Sequence, residues 1–281
     1  MVFVIVSIII ATYTNLAFVK NQVDILENSD KHIVSEIDNY FTRYITMIEQ
    51  MATDQSAVHI SESLAAGEDQ TQNPHYQDVM NMLVKSSQLE QDSIIATYIA
   101  ALDANTLICS DGWIPDSDFD IKSRDYYAAV TSDKTFVSEP YVDQTTGKSI
   151  VTIAVPIHNP AGKIVGIAGV DMEITKLNDM VMQQKLGHNG YYILVSATNA
   201  VLSHKNTDML LKDVTEIGLS KPIVDNITQG IADKIAYKNN GESYYGGVSQ
   251  IESTGWRLIS AIPKSEFNSD LTSTNLILLS T

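Results

Sequence analysis

Lys148-Ser-Ile-Val-Thr-Ile-Ala-Val-Pro-Ile157, the turn His158-Asn-Pro-Ala-Gly162 and Lys163-Ile-Val-Gly-Ile-Ala-Gly-Val170 read as two β-rich runs joined by a short connection. Asn-Pro and Gly are breakers of regular structure, so the runs form an antiparallel hairpin rather than one long strand. An earlier hairpin is expected where Ile94 to Leu102 meets Asp103-Ala-Asn105 and resumes as Thr106-Leu-Ile-Cys109. Both patterns recur farther along the chain. Tyr191-Tyr-Ile-Leu-Val-Ser-Ala-Thr-Asn199-Ala-Val-Leu-Ser203 repeats the first, and Tyr244 to Ile251, the turn Glu252-Ser-Thr-Gly255 and Trp256 to Ile262 repeat the second. Asn199 follows Asn105 by 94 positions. Repetition at one offset predicts two similar modules in tandem. Their sheets are antiparallel because the connections are hairpins, not strand-helix-strand crossovers, which makes the fold class α+β.

Outward from the strands the pattern turns helical. Tyr76 to Leu89 is a short amphipathic helix after a polar loop at Gly67 to Pro74, and Thr175 to Lys185 is a helical joint between the modules. From Val23 to about Met51, Leu26, Ile33, Ile37, Tyr40, Tyr44, Ile48 and Met51 keep the three- and four-residue spacing of one helix face. A coiled-coil seam in a dimer is a second reading of that face near its start. Val2 to Val19 is uncharged and mostly apolar, and ends at Lys20. It approaches the roughly 20 residues of a membrane-spanning helix. A secretory signal peptide fits less well, since no basic segment precedes the run and no small-residue cleavage pattern follows it. Leu271 to Thr281 turns apolar again, so a second membrane helix is expected to start at about 269.

Composition excludes several classes. With 34 acidic against 18 basic side chains and a net charge of -16, the 281-residue chain has no basic stripe for nucleic acid. Hydrophobic residues make up 44%, enough for a core and too many for a disordered chain. Cys109 is single and sits in an apolar stretch, so it is expected to be a small buried hydrophobe. The six histidines, His32, His59, His75, His158, His188 and His204, show no metal spacing. No nucleophile elbow or phosphate loop is present, and neither catalysis, a metal nor a cofactor is expected.

Chemistry concentrates instead in Asp120-Ile-Lys-Ser-Arg124-Asp-Tyr126-Tyr127, with Tyr141-Val-Asp143 and Gly169-Val-Asp171 after it. At nearly the repeat offset, Asp171 corresponds to Lys264, and Arg124 to the neighbourhood of Gly218, where there is no Arg, Tyr or Trp. The scaffold is duplicated and the polar constellation is not. Residues that a fold requires should appear in both copies, so the unpaired ones are candidates for function. Arg124 presents a planar fork suited to a carboxylate, or pairs on the surface with Asp120 or Asp125. Tyr126 and Tyr127, if extended, face opposite ways, so only one need enter a pocket, and filling core is the alternative for either. Asp171 follows the apolar strand Ile164 to Val170 and therefore ends it, as a ligand carboxylate or as a helix cap near Thr175. Asp143 lies in the turn 141–147, where Asp is common for turn reasons alone. Trp113 either covers the sheet or stacks on a ligand.

Asp120-x-x-x-Arg124-x-aromatic-Tyr127, Glu139-Pro-Tyr141, the Gly147-Lys148 turn, Val155-Pro-Ile157, Gly162-Lys-Ile-Val-Gly166 and Gly169-Val-Asp171 together resemble the double Cache domain. This is the extracellular sensor of bacterial methyl-accepting chemotaxis proteins and of some sensor kinases and cyclases. The resemblance covers the chain between the two apolar ends. It implies a long N-terminal helix followed by two tandem PAS-like modules. A membrane helix over 1–19 and a stalk helix and loop over 20–75 lead to a membrane-distal, ligand-binding module over 76–180. A membrane-proximal module over 181–268 and the start of the second membrane helix over 269–281 follow. It further implies a homodimer in the cell membrane, with this region outside the cell or in the periplasm. In amino-acid-binding members the motif Arg and a Trp hold the carboxylate, and a Tyr with two Asp holds the amine. Carried over, Arg124 meets the carboxylate, Tyr127 matches the Tyr, and Asp143 and Asp171 match the acids. Tyr126 stands where the pattern has Trp, and Phe119 where a Tyr is frequent.

The implied ligand is a small zwitterion, foremost an amino acid. One Arg opposed by two Asp suits a group bearing both charges, whereas a dicarboxylate meets repulsion from Asp143 and Asp171. Amines, nucleobases and small carboxylates rank lower, and a surface module that senses nothing is the alternative of another class. About six heavy atoms at about 1.5 kcal/mol each limit such a ligand to roughly micromolar affinity.

Overall fold

The computed structural model describes residues 2–143 and 146–268. Helix α1 runs from Val2 to Ala52 without a break. α2 (Gln55–Ser63) and α3 (Tyr76–Ser87) lead into strands β1 (Ile94–Ala101) and β2 (Thr106–Cys109). After them come α4 (Asp125–Thr131), β3 (Phe136–Val137), β4 (Tyr141–Val142), β5 (Ser149–His158) and β6 (Ile164–Glu173). α5 (Ile174–Met182), β7 (Tyr191–Val195), β8 (Val201–Ser203) and α6 (Lys221–Gln229) begin the second half. β9 (Lys234–Asn239), β10 (Glu242–Gln250), β11 (Arg257–Pro263) and α7 (Lys264–Phe267) complete it. The class is α+β, with two sheets whose ladders are all antiparallel.

The chain divides into two compact units. One is Asn39–Lys176, and the other comprises the residues up to Asp38 with those from Leu177 onward. In the first, the strand order is β2-β1-β6-β5-β3, with β4 also pairing with β5. In the second it is β8-β7-β11-β10-β9. The two orders are equivalent strand for strand, as the 94-residue repeat requires. Asn105 (φ 53°) and Asn199 (φ 75°) occupy the same left-handed place in their two turns, a conformation that Asn tolerates better than most side chains.

Burial follows the period of each element. Leu26, Ile33, Ile37, Tyr40, Tyr44, Ile48 and Met51 are all buried along α1. The strands of the first sheet are covered on both faces, so neighbouring residues go to opposite layers. On one side the Thr97 hydroxyl donates to Leu83 O in α3 at 2.8 Å, and Gly166 leaves room for Ser61 of α2. On the other, Tyr98, Ala100, Ala154 and Ile167 pack with Tyr126 and Val130 of α4. The second unit has its own core, built on Ile193, Val195, Ile223, Ile227, Tyr237, Tyr244 and Ile259.

Two local expectations are corrected. Tyr126 and Tyr127 are helical, not extended: Asp120 accepts from Lys122 N at 3.0 Å, opens a 3-10 turn at Ile121–Ser123, and α4 follows. Asp171 does not end its strand, because β6 stays paired with β5 as far as Glu173. Most side chains of the first expected membrane segment, and all of 269–281, lie outside the described residues. Among those described, no helix is long and apolar enough to cross a membrane.

Candidate functional site

The duplicated scaffold carries its unduplicated polar groups on one face of the first sheet. Alternation along β6 puts Ile167, Gly169 and Asp171 on the layer facing α4, and pairing sets Thr152 of β5 beside Asp171 and Tyr98 of β1 beside Gly169. A cavity of about 360 Å³ opens over these positions. Trp113, Arg124, Tyr126, Tyr141, Asp143 and Asp171 line it. So do Tyr98, Cys109, Asp111, Ser138 and Thr152, which motif reading did not single out. For Tyr98, Cys109 and Thr152 the signal was strand register, since alternation from the Asp171–Thr152 pair selects them, while Asp111 and Ser138 follow the ends of β2 and β3. That register is a tertiary fact.

Asp171 is the chemical centre of the wall. The Thr152 hydroxyl donates to Asp171 Oδ1 at 2.6 Å, and the Tyr141 hydroxyl lies 2.7 Å from Thr152 Oγ1. Because Thr152 has one proton and donates it to Asp171, Tyr141 donates to Thr152. Burial raises the Asp171 pKa from 3.8 to about 7, further than the Thr152 bond pulls it down; Asp143 and Asp111 add to the rise and Arg124 opposes it. Among the described residues no Lys, Arg or His comes within ion-pair distance of this carboxylate.

Arg124 is exposed at the junction of the 3-10 turn and α4. Its guanidinium lies 4.9 Å from the centroid of the Phe119 ring, a cation–π contact that orients the fork without consuming its donors. The surface pairing with Asp120 or Asp125 is not formed; Asp120 is occupied capping the 3-10 turn. Trp113 is 38% exposed and stands edge-on to Phe119 at 6.1 Å, so it flanks the cavity and does not cover the sheet. Asp143 uses Oδ2 to accept from Thr146 N at 2.7 Å and Thr146 Oγ1 at 2.6 Å, holding its own turn, and among the described residues Oδ1 has no hydrogen-bond partner.

Phe119 and Tyr127 are not on the walls. Phe119 is buried behind Arg124 and Trp113. Tyr127 follows Tyr126 by one residue on a helix, about 100° around the axis, and packs half-buried against the core. Burial pushes the Tyr126 and Tyr141 phenols far above their ordinary range, so both are neutral donors at physiological pH.

A larger cavity, about 790 Å³, lies against Glu49, His59, Asp133, Pro156 and His158. Its walls also carry Thr53, Gln55, Thr135 and Asn159, His158 contacts Asp133 at 3.0 Å, and among the described residues none of the buried unpaired polar atoms belongs to its walls. The smaller cavity, with a carboxylate and a guanidinium both lacking counter-ions, is the better candidate despite its size. Among the described residues no group of three metal-ligating side chains occurs.

The family described as Cache domain matches residues 16–271. The methyl-accepting chemotaxis protein PscA of Pseudomonas syringae pv. tomato is 32% identical over 101 residues, covering 36% of this chain and 16% of the relative. The chain thus corresponds to a minor part of such a relative's length. Among solved structures, the ligand-binding domain of the Pseudomonas fluorescens chemoreceptor CtaA in complex with L-alanine superposes with a TM-score of 0.65 at 21% identity, covering 86% of this chain and 97% of that one. The ligand-binding domain of the Pseudomonas aeruginosa PAO1 chemoreceptor PctB in complex with L-Arg gives 0.65 at 20% identity, covering 86% and 95%. At these identities the likeness is one of fold.

Proposed function

The chain belongs to the Cache domain family, and from that premise we propose that it is the extracellular or periplasmic sensor region of a transmembrane chemoreceptor, binding an α-amino acid in the cavity of the first sheet. The observation that carries this reading is the pair of uncompensated charges on one cavity. Arg124 supplies a fork of donors without a protein carboxylate, and Asp171 a carboxylate without a protein cation. A ligand that bears both a carboxylate and an ammonium, as an α-amino acid does on one carbon, satisfies both. Tyr126 adds a donor on the carboxylate side, and Asp143 Oδ1 an acceptor on the amine side. The 360 Å³ volume takes a single amino acid and excludes a long peptide. The chemoreceptor domains solved with L-alanine and L-Arg lend support through their shared fold.

In this reading the chain is a homodimer anchored by membrane helices at 1–19 and from 269, and the second sheet relays the signal without binding ligand. The absence of an Arg near Gly218 and the Lys264 at the offset of Asp171 support that division of labour. A thermal-shift screen of the twenty standard amino acids, amines, nucleobases and short carboxylates tests it. Amino acids should raise the melting temperature of the wild type, and neither Arg124→Ala nor Asp171→Asn should respond to them. Stabilisation by a dicarboxylate in preference to every amino acid would reverse the assignment.

A further inference from the structure

Among the described residues, Tyr98 is the cavity residue whose buried side-chain oxygen makes no hydrogen bond of ordinary geometry. It is 3% exposed, lines the cavity, and its hydroxyl has no hydrogen-bond partner among the described residues. Buried hydroxyls are nearly always bonded, so an orphan at the wall of a binding cavity has a use outside the apo protein. The ring is placed deliberately. Tyr98 lies across the ladder from Gly169, and a Cβ at 169 would stand 2.2 Å from its Cζ and 2.4 Å from its Oη, so only glycine lets the phenol lie over β6. The hydroxyl then sits in the field of Tyr126, Asp171 and Tyr141; Tyr126 is near enough to act on its proton as a hydrogen-bonding group, although the two phenols do not meet in ordinary hydrogen-bond geometry and the Tyr98 oxygen keeps its acceptor sites.

An ammonium has three N–H donors. Thr152 donates to Asp171 Oδ1 and Thr146 to Asp143 Oδ2, while the Tyr141 hydroxyl gives its proton to Thr152 and keeps its lone pairs. Among the described residues, acceptors still open on this side of the cavity include Asp171 Oδ2, Asp143 Oδ1, the oxygen of Tyr141 and Tyr98 Oη. Tyr127, which the family resemblance puts in the phenol's role, is not on the wall. Resting on the amino-acid reading above, we propose that Tyr98 is a ligand contact, its hydroxyl oxygen accepting from the ammonium of the bound amino acid. For the ligand to reach this buried oxygen, the Tyr126 ring, whose centroid is 6.0 Å away, is the neighbour that has to give way.

The test is titration calorimetry of the 281-residue chain with the standard L-amino acids, on the wild type, Tyr98→Phe, Tyr127→Phe and Asp171→Asn. Tyr98→Phe should weaken every bound amino acid by the same factor, about tenfold, as expected for one hydrogen bond to a charged group. Its melting temperature without ligand should be unchanged or higher, because the lost hydroxyl had no partner. Tyr127→Phe should stay within about twofold of wild type by the same reasoning. Wild-type affinity in Tyr98→Phe, a loss restricted to amino acids with polar side chains, or a lower ligand-free melting temperature would each overturn the assignment. If Asp171→Asn binds as well as wild type, or the wild type binds no amino acid, the underlying reading fails instead. Loss in Asp171→Asn with no change in Tyr98→Phe removes only the role of Tyr98.

Discussion

Asp171 illustrates what one residue owes to its surroundings. An isolated Asp is ionised at neutral pH, but burial between β5 and β1 brings this one to about 7. The folded pKa is raised above the unfolded value, so the folded state holds the proton more firmly. Stability is therefore greatest below about 4 and is given up as pH rises toward about 7. Asp171→Asn should flatten that slope in urea melts taken across the window. Binding has the opposite sense. A ligand ammonium favours the carboxylate, so binding expels a proton wherever Asp171 is still protonated. Affinity for an amino acid should rise about tenfold from pH 5.5 to 6.5 and level off above about 7.5. Calorimetry in buffers of different ionisation enthalpy checks this; a flat profile over pH 5.5–6.5 is incompatible with Asp171 as the amine's partner. Little of this was legible from residue type. The candidacy of Asp171 came from its missing counterpart at Lys264, while its environment came from Thr152, nineteen residues away in sequence.

Elements were legible in proportion to their length and periodicity. α1 offers seven apolar positions at helical spacing, so chance agreement with another period is small. α4 has seven residues and buries only Tyr126 and Val130, too few to announce a helix; its start is dictated by the preceding 3-10 turn. β6 was read as stopping at Val170 because Asp171 breaks the apolar run, yet pairing continues and a Lys148–Glu173 ion pair at 2.6 Å adds to its last rung. Gly169 shows how an element serves the site. Gly169→Ala should displace the Tyr98 ring, costing about 1–3 kcal/mol in a denaturant melt and weakening ligand binding at once. In the second unit, α1 is tied to the sheet by Asp30, which is 2% exposed, contacts Lys234 at the start of β9, and accepts from Ser260 Oγ of β11 at 3.0 Å. Burial raises the Asp30 pKa while Lys234 lowers it. Lys234→Met leaves that carboxylate buried without its cation and should cost about 3–5 kcal/mol, whereas Asp30→Leu with Lys234→Met should recover most of the loss. Equal losses in the single and double variants would mean that the pair acts by packing alone.

For the molecule as a whole, two units with equivalent strand order are decorated differently, and the cavity that holds Arg124 and Asp171 belongs to the unit Asn39–Lys176. Ligand at about 100 times its dissociation constant should stabilise the unit Asn39–Lys176 by about 2.7 kcal/mol. Hydrogen exchange should register this as slower exchange in β5, β6 and α4, with no direct protection in β7 or β11. Protection centred on the second sheet would move the site there. The sequence by itself determined the α+β class, the tandem repeat, the long first helix and the family, because each rests on local periodicity or on residues close together in the chain. It also singled out most of the charged candidates, since duplication exposes what a scaffold does not need. Only the tertiary structure decided which phenols face Asp171, that Arg124 stacks on Phe119 and forms no ion pair among the described residues, and that Tyr127 is off the cavity wall. Those outcomes depend on strand register and helix phase, where one residue of shift in a strand reverses a side chain's face and one step along a helix turns it by about 100°.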